Sequence, residues 1–336
     1  MFRRDFMGAV AAVGAGTLVP IQLRAQSATA VTWVSPSVIT PLQTYVLIAI
    51  ENGYFSEAGL DLSANPSPGT ANVITQLAAG HAEFGQAAAI VTVPAIVEQG
   101  AEILTVGQPI YRSVFEIASM PEDPITHPRD MVGQTIGVMS IGGSTDRLID
   151  AMMIAEGLDP TSVERVVTGL SAGAFTHLQS GQVAGFWSFY PIRVALDTMG
   201  IDLHYLNSDD YARLPADSVI ASRALTETDD GRELVKAYLT GVKRGLDFLL
   251  DPANVEASID ILGKYNPTEA EDRTATAEKF AIVRDLARPP EGVTSLYCDI
   301  PAWEAGIELM AEMGVISRTV PVSDVATNTF LEEAGL

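Results

Sequence analysis

From Val31 to Ser222 the chain alternates short β runs with segments of helical period, and it does so twice in the same order. Strands separated by helices of this length build parallel βαβ units, because a parallel neighbour is reached only by a long crossover. In the first pass "AVTWVS" is a β run. "PLQTYVLIAIENG" follows with Leu42, Tyr45, Val46, Ala49 and Ile50 at helical spacing until Asn52-Gly53 stop it. "GLDLSAN", "AEFGQ" and "EILTVGQP" are further strands, with "GTANVITQLAAG" and "AAIVTVPAIVEQG" as the helices between them. The second pass reads "QTIGVMS", "STDRLIDAMMIAEG", "VERVVTG", "AGAFTHLQSG" and "VAGFWSF". The passes align locally at an offset of 101, Thr75 on Thr176, Leu77 on Leu178 and Gly80 on Gly181. Two similar α/β lobes follow from this layout.

Beyond Ser222 the β signal fades into helices, beginning with "DDGRELVKAYLTGVKRGLDFLLDP", punctuated by Pro and Gly. This tail has no core of its own and is expected to pack back on the first lobe. The chain then crosses between lobes twice, near residues 115–124 and 214–222. The expected division is 26–118 plus 220–336 for one lobe and 119–219 for the other.

The N-terminal stretch, with Arg3-Arg4, a weakly apolar Ala/Gly/Val run and "LRA", reads as a twin-arginine export signal over residues 1–25. Its apolar run is too short for a membrane span, so no membrane insertion of the mature chain is expected. The net charge of −22 becomes −24 once that signal is removed. Such acidity repels phosphate backbones and anionic headgroups, which argues against nucleic-acid and membrane-surface partners. The single cysteine, Cys298, permits no internal disulfide and reads as a structural thiol. His81, His127, His177 and His204 show no metal-ligand spacing, so neither a metal nor a cofactor is expected.

In open α/β sheets ligands bind beyond the carboxyl ends of the strands, where loops enter helix N-termini. Those loops define the candidate site: Ser35 to Thr40 after the first strand, Gly69, Thr70 and Asn72 in "SPGTAN", and Gln86 and Ala87 after the third strand. Gln108 and Tyr111 follow the fourth strand in "GQPIYR", and Gly143, Ser144 and Thr145 belong to "SIGGSTDR". The last stretch can cap a helix whose N–H groups attract carboxylate, sulfonate or phosphate oxygens, or be an ordinary N-cap. It is not a Walker loop, for GxxxxGK[ST] is absent. "GFWSFYP" sets Trp187, Phe189 and Tyr190 at a strand end where aliphatic residues would suit a buried strand. Some of these rings must be core; Trp187 and Tyr190 are the expected cleft rings, flat enough to stack on a planar ligand.

Ala49, Gly53-Tyr54-Phe55, Gly59-Leu60, Leu77, Gly80 and Phe84-Gly85 form an "A…GYF…GL" then "L..G..D.G" pattern, with Glu83 where Asp is common. With the export signal, this resembles the periplasmic solute-binding proteins of ABC importers, in the group serving nitrate, taurine, alkanesulfonates and thiamine-pyrimidine precursors. The resemblance implies a type II two-lobed α/β fold and a monomer that captures a small anionic or aromatic solute. It also implies an importer permease and ATPase as partners. Arg112 and Arg147 are the cations nearest the expected site. Tyr190-Pro191 stands where pyrimidine binders of the group tend to carry a carboxylate. An exported enzyme of the related pyrimidine-synthase and desulfinase fold, or a sensor subunit, are the alternatives. No Cys or His lies in the candidate loops and no GxSxG elbow is present, which favours binding over catalysis.

Overall fold

The computed structural model describes residues 28–139, 141, 144–169 and 171–336; the export-signal reading and Gly143 therefore lie outside the described residues. The first pass gives β1 (Thr29–Ser35), α1 (Thr44–Glu51), α2 (Tyr54–Glu57), β2 (Leu60–Pro66), α3 (Thr70–Ala78), β3 (Phe84–Ala88), α4 (Ala89–Gln99) and β4 (Ile103–Gly107). The second gives β5 (Phe115–Ser119), β6 (Thr135–Val138), α5 (Ser144–Ala155), β7 (Glu164–Val167), α6 (Phe175–Gln179), β8 (Gly185–Phe189), α7 (Tyr190–Thr198) and β9 (His204–Asn207). β10 (Asp217–Ser222) follows, then α8 (Arg223–Thr226), α9 (Asp229–Leu250), α10 (Val255–Tyr265), α11 (Pro267–Ala270), α12 (Arg273–Leu286), α13 (Ile300–Glu312) and α14 (Thr329–Glu333).

The strands form two five-stranded sheets, ordered β2-β1-β3-β10-β4 and β7-β6-β8-β5-β9. In each, the first three strands are parallel and the fourth is antiparallel to both its neighbours. The repeat extends to single turns. Gly80 and Gly181, with φ of 70° and 71°, end α3 and α6 in the left-handed conformation that glycine adopts without steric cost. At each end the same two reverse hydrogen bonds close a Schellman motif, His81 N–H to Gln76 O with Gly80 N–H to Leu77 O, and Gln182 N–H to His177 O with Gly181 N–H to Leu178 O.

The antiparallel strands move the crossings from where the sequence suggests them. Residues 115–119 are β5, inside the second sheet, and 217–222 are β10, inside the first. The boundaries at 118/119 and 219/220 therefore cut through strands, and the chain passes between sheets at residues 108–114 and 208–216. The two passages are tied to each other. Asn207 Nδ2 donates to Ser113 O at 3.0 Å, Ser113 N–H donates to an Asp209 carboxylate oxygen, and Arg112 pairs with Asp210 at 2.9 Å.

The helical tail packs on the first lobe and continues onto the second. α9 lies along α1 so closely that a Cβ at Gly245 would stand 2.1 Å from the Tyr45 carbonyl oxygen. Tyr238 of α9 stacks on Phe84 at 3.8 Å and on Phe55 at 5.5 Å between centroids, which anchors the first core. Farther along, α12 lies against α7 and α13 against both α4 and α5. The cores follow suit: Tyr190 is buried among first-lobe residues, and Ala89 and Val93 of α4 share a core with Trp187 and Trp303.

Candidate functional site

A cavity of about 320 Å³ opens between the lobes, walled by residues of both and by the two passages. Its first-lobe wall comes from residues at the carboxyl ends of strands: Ser37, Thr40, Thr70, Ala88 and Ile90. Thr40 precedes a short 3₁₀ turn into α1, Thr70 opens α3, and Ala88 caps α4. The second lobe adds Phe115, Leu148, Phe189 and Tyr190, and the second passage adds Asp209 and residues 214–216 up to Asp217. One hydrogen bond joins the lobes across the wall, Thr40 Oγ1 to Tyr190 Oη at 2.8 Å. The Thr40 hydroxyl also lies 2.7 Å from Gln43 Oε1, so both hydroxyls have partners.

Of the candidate residues, Thr40, Thr70, Phe189 and Tyr190 line this cavity. Trp187 does not. It is 0 % exposed, packed in the second core with its ring edge-on to Phe115 at 6.4 Å. Strand alternation sends Trp187 into the core, whereas Phe189 and Tyr190 stand where β8 turns into α7. Ser35, Gln86 and Ala87 are likewise buried within the first sheet. Gly69 caps α3 at φ 96°, and Asn72 Oδ1 accepts from Ser67 Oγ at 2.7 Å, so both shape the loop without lining the cavity.

Gln108 and Tyr111 are tethers rather than wall. Gln108 Oε1 accepts from Trp303 Nε1 at 3.1 Å and from Asp299 N–H at 3.2 Å. Tyr111 Oη donates to Tyr297 O at 2.9 Å. Buried polar groups need partners, and here the partners are the tail segment that braces the first passage. Ser144 opens α5, and Thr145 Oγ1 accepts from Met139 N–H at 3.0 Å, tying the first turn of α5 to the residue that follows β6. Arg112 is held by Asp210 and Arg147 is exposed; neither lines the cavity.

Two carboxylates that sequence reasoning missed face the cavity. Burial pushes Asp217 up to about 6, with the Gln86 amide drawing it partly back although the two make no hydrogen bond of normal geometry. Burial pushes Asp209 up to about 7, against the lowering pull of Ser113 N–H, Arg112 and Arg213. The doublet Asp209-Asp210 and the Pro215–Asp217 stretch were visible signals, but only the true position of the second passage makes them wall.

A fold of two mixed sheets enclosing such a cavity is that of the type II periplasmic binding proteins. The chain belongs to the family described as NMT1/THI5 like, whose model matches residues 40–254. Among curated relatives, the formylaminopyrimidine-binding protein of Halalkalibacterium halodurans is 23% identical over 294 residues, covering 84% of this chain and 85% of that one. The riboflavin-binding protein RibY of Chloroflexus aurantiacus is 24% identical over 292 residues, covering 84% and 81%. The 4-amino-5-hydroxymethyl-2-methylpyrimidine phosphate synthase of Legionella pneumophila is 24% identical over 298 residues, covering 87% and 89%. Among solved structures, the periplasmic aliphatic sulphonate binding protein SsuA from Escherichia coli superposes with a TM-score of 0.65 at 17% identity, covering 88% and 91%. The periplasmic nitrate-binding protein NrtA from Synechocystis PCC 6803 does so at 0.65 and 12% identity, covering 91% and 88%. No described helix is long and apolar enough to cross a membrane.

Proposed function

We propose that this chain is the exported solute-binding component of an ABC importer, capturing a flat heteroaromatic solute between its lobes and delivering it, as a monomer, to a membrane permease and its ATPase. The observation that carries this reading is the cavity itself: an inter-lobe chamber with Phe115, Phe189 and Tyr190 on one wall and strand-to-helix junctions on the other. Its volume suits one or two fused rings rather than a polymer. Relatives named for pyrimidine and riboflavin binding support a planar ring as cargo. The synthase relative keeps catalysis in view: no Cys, His or Lys stands among the described lining residues, but Asp209 and Asp217 are carboxylates that could serve as a base. Export rests on the Arg3-Arg4 signal; exchanging both for lysine is expected to leave precursor in the cytoplasm.

The test is a thermal-shift screen of purified protein over pyrimidines, flavins, aromatic carboxylates and sulfonates, with mass spectrometry of the bound species. A planar solute is expected to raise the melting midpoint and to be recovered unchanged. Phe189→Ala is expected to abolish that shift. Recovery of a converted product would overturn the capture reading.

A further inference from the structure

Among the described residues that line the cavity, Asp209 and Asp217 are the only ones with a formal charge. They stand at the two ends of the second passage, Asp209 in its opening 3₁₀ turn and Asp217 as the first residue of β10. Asp209 has partial compensation from Ser113 N–H, Arg112 and Arg213, with Asp210 opposing. Asp217 has none of that kind. It makes no ion pair among the described residues, and the groups around it are the Gln86 amide and the phenols of Tyr45 and Tyr190. A partly buried carboxylate without a cation is a cost that a bound positive or N–H group removes.

Helix starts also face the cavity, at Thr70, Ile90 and Tyr190, and their N–H groups draw anions. Two of those donors are spent or missing: Ala89 N–H is bonded to Pro215 O at 3.1 Å, and Pro191 has no N–H. A helix end carries about half a charge, screened within a turn, whereas each ionised aspartate carries a whole one. The remaining helix donors therefore match ring nitrogens or carbonyls, and the carboxylates match N–H groups.

We infer that the cavity selects a solute with a cationic or N–H-rich edge, such as an amine, amidine or amino-heterocycle, seated between Asp209 and Asp217, and excludes sulfonates and nitrate. This rests on the capture reading. Sulfonate- and nitrate-binding proteins share the fold, but carboxylates on the cavity wall repel such anions and draw cationic or N–H groups.

The experiment is isothermal titration of the purified protein with four probes: cytosine, benzamidine, benzenesulfonate and nitrate. Cytosine or benzamidine is expected to bind and neither anion to do so. Asp217→Asn and Asp209→Asn are isosteric, and an Asn at 209 still accepts from Ser113. Each is expected to weaken donor binding by at least about tenfold while leaving the melting midpoint within a few degrees. Binding of an anion in preference to the donors overturns the class assignment. If Phe189→Ala then abolishes that anion binding, the capture reading stands without it. Binding of none of the four, or donor binding indifferent to both Asn variants, also overturns the assignment. Chemical conversion of a bound probe overturns capture itself.

Discussion

Trp187→Ala separates a core ring from a ligand-stacking ring. Trp187 is wholly buried, with Ile117 and Leu206 in the same core and Phe115 edge-on at 6.4 Å. Its indole N–H has no hydrogen-bond partner, so truncation strands no acceptor and the loss is apolar packing plus the aromatic pair. Large-to-small core changes of this size cost about 3–5 kcal/mol, and the edge-on pair accounts for about 0.5–1.5 kcal/mol of that. Urea titration of the variant is expected to show that loss with an unchanged denaturant slope. Phe115, which Trp187 supports, lines the cavity, so ligand affinity of the folded variant is expected to fall only about two- to threefold, less than ~1 kcal/mol. A variant that keeps its folding stability within ~1 kcal/mol of wild type and loses about fiftyfold or more in affinity would refute this placement, because only a ring against the ligand behaves so.

Tyr190→Phe removes the inter-lobe hydroxyl but leaves Thr40 bonded to Gln43; the expected cost is about 0.5–1 kcal/mol of stability by urea titration, and a loss above ~3 kcal/mol would contradict it. Gly80→Ala and Gly181→Ala each force a Cβ into φ near +70°, with no steric neighbour at either site, so both are expected to destabilise by a similar ~1 kcal/mol in thermal melts. The raised carboxyls of Asp209 and Asp217 make the folded state bind protons that the unfolded chain, with ordinary aspartates near ~4, has already released. Their contribution is present in full below about pH 4 and is lost as pH rises through about 6 and 7. Relative to wild type, Asp217→Asn should therefore gain stability as pH rises from about 4 through about 6 in the ligand-free protein, and a gain independent of pH would count against the burial that shifts it.

Much of the fold was legible because its evidence is local. Periodicity marks the helices and strands, and the glycines at 80 and 181 announce matching helix ends because only the left-handed conformation closes both. The antiparallel fourth strands were not legible. β5 and β10 have ordinary β patterns, and their direction is set by partners more than a hundred residues away in the case of β10 and β4. Period-two alternation carries no sign of parallel or antiparallel pairing. That gap hid Asp209 and Asp217, which are wall residues only because the second passage ends at β10 instead of running through it.

The same distinction sorts the candidate site residues. Thr40, Thr70, Phe189 and Tyr190, which reach the cavity, are all N-cap or first-turn residues at a strand-to-helix junction. Ala88, the last residue of the candidate stretch "GQAA", and Ile90, which was missed, hold the same kind of position at the start of α4. Ser35, Gln86, Ala87 and Trp187 lie on the strands themselves, where the pleat sends a side chain into one core layer or the other. Aromatic character therefore did not decide which ring of "GFWSFYP" faces a ligand. Trp187 is the largest of the three rings, yet it sits two residues before the junction, and the chain turns toward the cavity only at Phe189 and Tyr190. In a fold whose ligands bind at carboxyl ends of strands, a residue's place relative to the helix start outweighs its chemistry, because the backbone, not the side chain, decides what faces the cleft.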